Sequence, residues 1–149
     1  MPIAGLGWSL LLAGGALVLG GTTPASAAHS VKSSDGVVIR YEWAGSGEPT
    51  IVFVHGWSCD RSYWRAQIDS LSRTNRVVAI DLGGHGESGL GRKQYTMQAF
   101  GADVRAVLEA LDARGVVLVG HSMGGPVILE AARQAPDRVA ALVAVDTLS

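Results

Sequence analysis

The sequence predicts an α/β protein: an open, mostly parallel sheet with helices on both faces, ending after about the sixth strand. Three observations carry this expectation. Four short runs, 51–54, 77–80, 116–119 and 139–145, are apolar at every position, as fits parallel strands covered on both sides. Segments with helical apolar spacing lie between them, so strand and helix alternate. Residues able to do chemistry (His55, Asp81 and Ser122) follow three of these runs closely, and ligands of such sheets bind beyond the carboxyl ends of the strands.

The elements follow in order. Leu6 to Gly21 is almost continuously apolar or glycine, Ala25-Ser26-Ala27-Ala28 is a small-residue stretch, and the first charged side chain is Lys32. This reads as a secretory signal peptide over 1–27, cleaved after Ala27, although its first residues carry no Lys or Arg. A membrane anchor is the alternative; the run is short, broken by Gly14-Gly15 and Gly20-Gly21, and lacks basic flanks, which favours cleavage. The expected product is a partial domain over 28–149, secreted or periplasmic, with no stable membrane anchor after cleavage.

Val37 to Trp43 alternates as an antiparallel strand with one solvated face does, and Ser34-Asp35-Gly36 before it is a hairpin turn. Residues 44–49 form a loop. Trp64, Ile68 and Leu71 mark one face of a helix near 61–73. Phe100, Val104, Val107, Leu108 and Leu111 mark a second, with Thr96 placed to cap it and Gly115 to end it. Val127, Ile128, Ala131 and Ala132 mark a third, stopped by Pro136. A net charge of −1 with no basic stripe argues against nucleic-acid binding. Cys59 is the only cysteine, so no intrachain disulfide can form.

The most specific segment is Val117-Leu118-Val119-Gly120-His121-Ser122-Met123-Gly124-Gly125. An aliphatic strand enters Gly-x-Ser-x-Gly and a helix-forming run leaves it, the layout of a nucleophile elbow. A Cβ at either glycine would collide with the neighbouring strand and helix. Pro126 falls in the first helical turn, where a missing N–H costs nothing.

Three motifs occur in order: His55-Gly56-Trp57, Asp81-Leu82-Gly83-Gly84-His85-Gly86-Glu87-Ser88, and Gly120 to Gly125. In these the chain, from about Val37 to its last residue, resembles the N-terminal half of the α/β-hydrolase superfamily, in its serine-nucleophile (esterase and lipase-like) branch. The resemblance implies an acyl hydrolase acting on a small-molecule ester or related substrate, without cofactor or metal. Ser122 would be the nucleophile, with the backbone N–H groups of Met123 and Trp57 as the oxyanion hole. The side chains of Trp57 and Met123 are then free to line an acyl pocket.

Gly84, Gly86 and Gly89 also fit Gly-x-Gly-x-x-Gly after a strand. A dinucleotide site would need a helix to open at once, whereas helical spacing resumes only after Thr96, so the match is read as coincidental and Asp81 as an organiser of the loop. No histidine follows Ser122, although the triad order of this fold is Ser, acid, His. His29, His55, His85 and His121 are all placed poorly for a base. Asp146 is the one candidate acid; a structural use at the strand end is its alternative. The expectation is thus a serine hydrolase represented by its N-terminal half, with the usual acid, histidine and lid beyond Ser149. The alternatives are a catalytically incompetent remnant or non-catalytic binding module, and another reaction of the same fold (carbon–carbon bond hydrolase, perhydrolase). An epoxide hydrolase or haloalkane dehalogenase fits less well, because those branches carry Asp at the position of Ser122.

Overall fold

The computed structural model describes residues 28–147; the signal peptide expected over 1–27 lies outside the described residues. Among these, six strands form one sheet: β1 His29–Lys32, β2 Val38–Ala44, β3 Ile51–Val54, β4 Val77–Asp81, β5 Val116–His121 and β6 Val139–Val145. Their order is β1-β2-β4-β3-β5-β6. The β1–β2 and β2–β4 pairs are antiparallel, and β4–β3, β3–β5 and β5–β6 are parallel. A 3-10 turn, Arg61–Trp64, leads into α1 Arg65–Leu71; α2 is Met97–Ala110 and α3 Gly124–Gln134.

The period of two in a strand separates two cores. Val52 and Val54 of β3, Val78 and Ile80 of β4 and Leu118 of β5 face α2 and α3, where they meet Phe100, Val104, Leu108, Val127, Ile128 and Ala131. The alternate residues Phe53, Val77, Ala79 and Val119 face Trp64, Ile68 and Leu71. Trp64 stacks on Phe53 with ring centroids 4.6 Å apart. Nearly every position of β3 and β4 is therefore buried, which is why those runs read as unbroken apolar stretches.

Local signals act mostly as expected. The Thr96 hydroxyl accepts the Ala99 N–H at 3.2 Å and opens α2. Pro136 follows the last turn of α3. One expectation needs correction. Asp112, at φ +44°, ends α2 rather than Gly115: the Ala113 N–H donates to Leu108 O and the Asp112 N–H to Glu109 O, a Schellman closure with a non-glycine residue in the left-handed position. Asp also tolerates that conformation, and Gly115, at φ +60°, serves the next turn. The last strand, β6, is apolar throughout yet stands at the edge of the sheet, as an uncovered apolar edge was expected there. Its Leu142, Val143 and Val145 remain about 40% exposed.

Candidate active site

The carboxyl ends of β3, β4 and β5 bring the three motifs together. Ser122 follows β5 directly and adopts φ +50°. A non-glycine residue in the left-handed region stores strain, of order 1–3 kcal/mol, and such strain gathers at functional sites. The sharp bend is held from both sides. The Ser122 N–H donates to Val145 O at 3.0 Å, and the Ser122 carbonyl accepts the Gly125 N–H at 2.9 Å and the Thr147 hydroxyl at 2.7 Å. A Cβ on Gly120 would fall on the Gly124 carbonyl, and one on Gly124 would stand 2.6 Å from Val54 O. The two glycines of the motif therefore let the start of the outgoing helix lie directly against the ends of β3 and β5. Gly125 likewise leaves room for the Thr147 side chain.

The second motif lies against the first. A Cβ on Gly56 would be 3.2 Å from Ser122 Cβ, so the loop backbone passes beside the serine. His55 is 1% exposed and both ring nitrogens are engaged. Nε2 accepts the Leu82 N–H at 3.1 Å, which leaves Nδ1 to carry the proton and donate to Gly56 O at 2.8 Å. The same carbonyl accepts the Cys59 N–H at 3.3 Å. In a trans peptide the C=O and the following N–H point oppositely. Pinning Gly56 O thus turns the Trp57 N–H away from the anchoring side. Among the described residues, neither the Trp57 nor the Met123 N–H donates to a backbone acceptor.

Burial, followed by the charge of nearby His85, lowers the His55 pKa below the ordinary histidine value, outweighing the Gly56 hydrogen bond. A depressed histidine pKa means that the unfolded chain takes up the proton first as pH falls. Its stabilising contribution is complete above the ordinary histidine range and is lost as pH drops through and below that range. Urea midpoints measured across that window should fall with pH, and His55→Asn, less stable throughout, should lack this part of the slope.

His121 and His85 have neighbours of their own. His121 points to the α1 side of the sheet, into a cavity of about 190 Å³ shared with His55, Tyr63, Trp64 and Gln67. His85 Nδ1 lies 3.2 Å from Gly83 O, and its ring meets Trp57 edge-on at 5.5 Å. Asp146, at φ +45°, is exposed at the end of β6. Its neighbours Val145 and Thr147, rather than its own carboxylate, hold the elbow. Thr147 was not singled out from the sequence, since a lone threonine after a strand carries no signature.

The glycine loop is built around a buried acid. Asp81, 0% exposed, accepts the backbone N–H groups of Arg61 at 2.7 Å and Glu87 at 2.9 Å, and pairs with the Arg61 guanidinium. Gly86 lies where a Cβ would strike that carboxylate, and a Cβ on Gly84 would be 2.5 Å from the Tyr95 ring. These glycines accommodate side chains, and the next helix begins only at Met97, as the dismissal of a dinucleotide site requires.

A second buried ionic group was missed. Arg92, nearly inaccessible, places both Nη atoms on the Asp103 carboxylate of α2 and its Nε 2.7 Å from Asp35 of the hairpin turn. Asp103 also accepts the Gly83 N–H at 3.0 Å. The Arg92 guanidinium holds the Asp35 carboxyl below the usual carboxylate range. Asp103 sits on the apolar face of a helix, where sequence alone gives no partner. Among the described residues no group of His, Cys, Asp and Glu side chains is arranged to hold a metal ion, and no helix is long and apolar enough to cross a membrane.

Comparisons with known proteins converge on one family. A family model described as the alpha/beta hydrolase fold matches residues 49–149. A non-heme chloroperoxidase of Streptomyces lividans is 40% identical over 122 residues, covering 80% of this chain and 44% of the relative. Among solved structures, an esterase of Thermogutta terrifontis superposes with TM-score 0.75 at 33% identity, covering 82% of this chain and 46% of the other. The epoxide hydrolase CorEH superposes with TM-score 0.77 at 30% identity, covering 83% and 43%. The chain spans less than half the length of the curated relatives it matches, from 28% to 44% of these. The match runs through all three strand ends where the motifs meet, and on that footing the chain belongs to the alpha/beta hydrolase fold family.

Proposed function

We propose that this chain carries the nucleophile and oxyanion hole of a serine acyl hydrolase acting on a small-molecule ester or related carbonyl substrate. The supporting observation is the backbone of Ser122: a left-handed residue between a buried strand and a helix, with the Gly56 backbone beside its side chain. In this reading Ser122 Oγ attacks the carbonyl carbon and gives its proton to a base. The Trp57 and Met123 N–H groups receive the charge that develops on the carbonyl oxygen. Collapse expels the alcohol, and water then releases the acid from the acyl-serine. The base is none of the four histidines of these 149 residues, since none follows Ser122 and His55 has no free ring nitrogen; Asp146 is retained only as a candidate acid. No cofactor, nucleic acid or membrane anchor is invoked, and secretion or periplasmic residence rests on the apolar leader alone.

A second reaction on the same serine is favoured by the relative named a non-heme chloroperoxidase. Hydrogen peroxide in place of water would accept the acyl group and give a peracid. The test is pre-steady-state turnover of p-nitrophenyl acetate by the whole gene product. A burst of about one equivalent of p-nitrophenol, followed by slower turnover, is the expected mark of an acyl-enzyme. Turnover that starts linearly and is indifferent to Ser122→Ala would contradict the proposal.

A further inference from the structure

Both peptides proposed to supply oxyanion donors have their carbonyls pinned. In the first, the His55 ring donates to Gly56 O. In the second, the Ser122 carbonyl takes two donors, the Gly125 N–H at 2.9 Å and the Thr147 hydroxyl at 2.7 Å. A trans peptide sets its C=O and the following N–H in opposite directions. Whatever fixes Ser122 O therefore also fixes the direction of the Met123 N–H. Thr147 reaches this carbonyl by a built route. Val145, at the end of β6, accepts the Ser122 N–H at 3.0 Å. Asp146, left-handed at φ +45°, then turns the chain so that the next side chain comes back over the elbow. The space it enters is the bare face of Gly125: a Cβ there would strike Thr147 Oγ and stand 2.7 Å from Thr147 Cβ. Gly125 lies outside the Gly-x-Ser-x-Gly pattern, whose glycines are Gly120 and Gly124, and the atoms nearest to its open face all belong to Thr147.

We propose that Thr147 is a positioning residue of the hydrolase: its hydroxyl holds the Ser122–Met123 peptide so that the Met123 N–H faces the oxyanion formed at the serine. Thr147 acts through that peptide and not on the substrate. The Gly125 bond lies within the turn itself and moves with it. The Thr147 bond ties the same carbonyl to the end of β6, which is paired with β5 from Val116 to His121. Two donors from different elements fix a direction that one leaves free. A donor fixed beforehand needs no reorganisation when charge develops, which is what makes an oxyanion hole effective. The role belongs to the hydroxyl: serine has the same donor on Cβ, whereas valine has the shape of threonine without it.

The inference rests on the reading of Ser122 as nucleophile, so its test has an arm that needs no turnover. In the whole gene product, Thr147→Val should slow acylation by p-nitrophenyl acetate about 10- to 100-fold, less than the roughly 100- to 1,000-fold cost of losing a donor outright. Substrate affinity should stay within about twofold, as for an interaction made only in the transition state. Thr147→Ser should restore most of the rate. The ratio of ester to matched thionoester rates reads hydrogen bonds to the oxyanion, because sulfur accepts them poorly. That ratio should fall in Thr147→Val and recover in Thr147→Ser. In Ser122→Ala, the Met123 amide resonance should move when Thr147→Val is added and return with Thr147→Ser. Such a movement, in a protein whose turnover ignores Ser122→Ala, supports the anchor and refutes the nucleophile. A Ser122-dependent burst whose rate and thionoester ratio are unmoved by Thr147→Val, or equally slowed by Thr147→Ser, overturns the positioning role and leaves the nucleophile standing.

Discussion

Replacing Ser122 by alanine is expected to lower ester turnover by roughly 10⁴- to 10⁶-fold in the whole gene product, with KM little changed. The substitution removes one oxygen and leaves the elbow intact. Ser122 holds its neighbours through its main chain: its N–H to Val145 O, its carbonyl to Gly125 and Thr147. Alanine tolerates φ +50° no better than serine, so stability should stay within about 0.5 kcal/mol. Glycine tests the same idea from the other side. Ser122→Gly relieves the left-handed strain and is expected to raise stability by about 1 kcal/mol while abolishing turnover equally. A urea series on both variants, beside the activity assay, separates a strained functional position from an ordinary turn.

Asp103→Ala carries the largest expected loss of stability. The substitution strands the Arg92 guanidinium, whose side chain is 2% exposed, with Asp35 as its only remaining carboxylate. Breaking a buried pair by removing one partner costs about 3–5 kcal/mol, a large part of the total stability of an ordinary domain. The Gly83 N–H loses its acceptor as well. Gly83 adjoins Leu82, whose N–H holds His55. The damage should therefore reach the loop that carries His55 and Gly56. Asp103→Asn, which keeps an acceptor for Gly83, should be the milder of the two in urea midpoint and in residual activity.

The parts legible in the sequence were those governed by local rules. Apolar runs at 51–54, 77–80 and 116–119 read directly as buried strands because both faces meet helices. The serine elbow was legible because Gly120 and Gly124 have no substitute where backbone passes backbone. Long-range partnerships were not legible. Nothing near Arg92 in the chain announces Asp35 or Asp103, since an ion pair closed over 57 positions leaves no periodic trace. The engagement of both His55 nitrogens was equally hidden, because its partners are backbone groups. Helix α2 shows how a local rule fails by substitution: Asp112 takes the left-handed position expected of Gly115.

The central claim is that Ser122 is a reactive nucleophile. The direct measurement is fluorophosphonate labelling of the protein isolated from its native host, read by mass spectrometry of the tryptic peptide 115–133. The account predicts a single phosphonyl adduct on Ser122, formed before any other serine reacts and absent from Ser122→Ala. An unmodified 115–133 peptide from abundant, folded protein, or an adduct on a different serine, would contradict it.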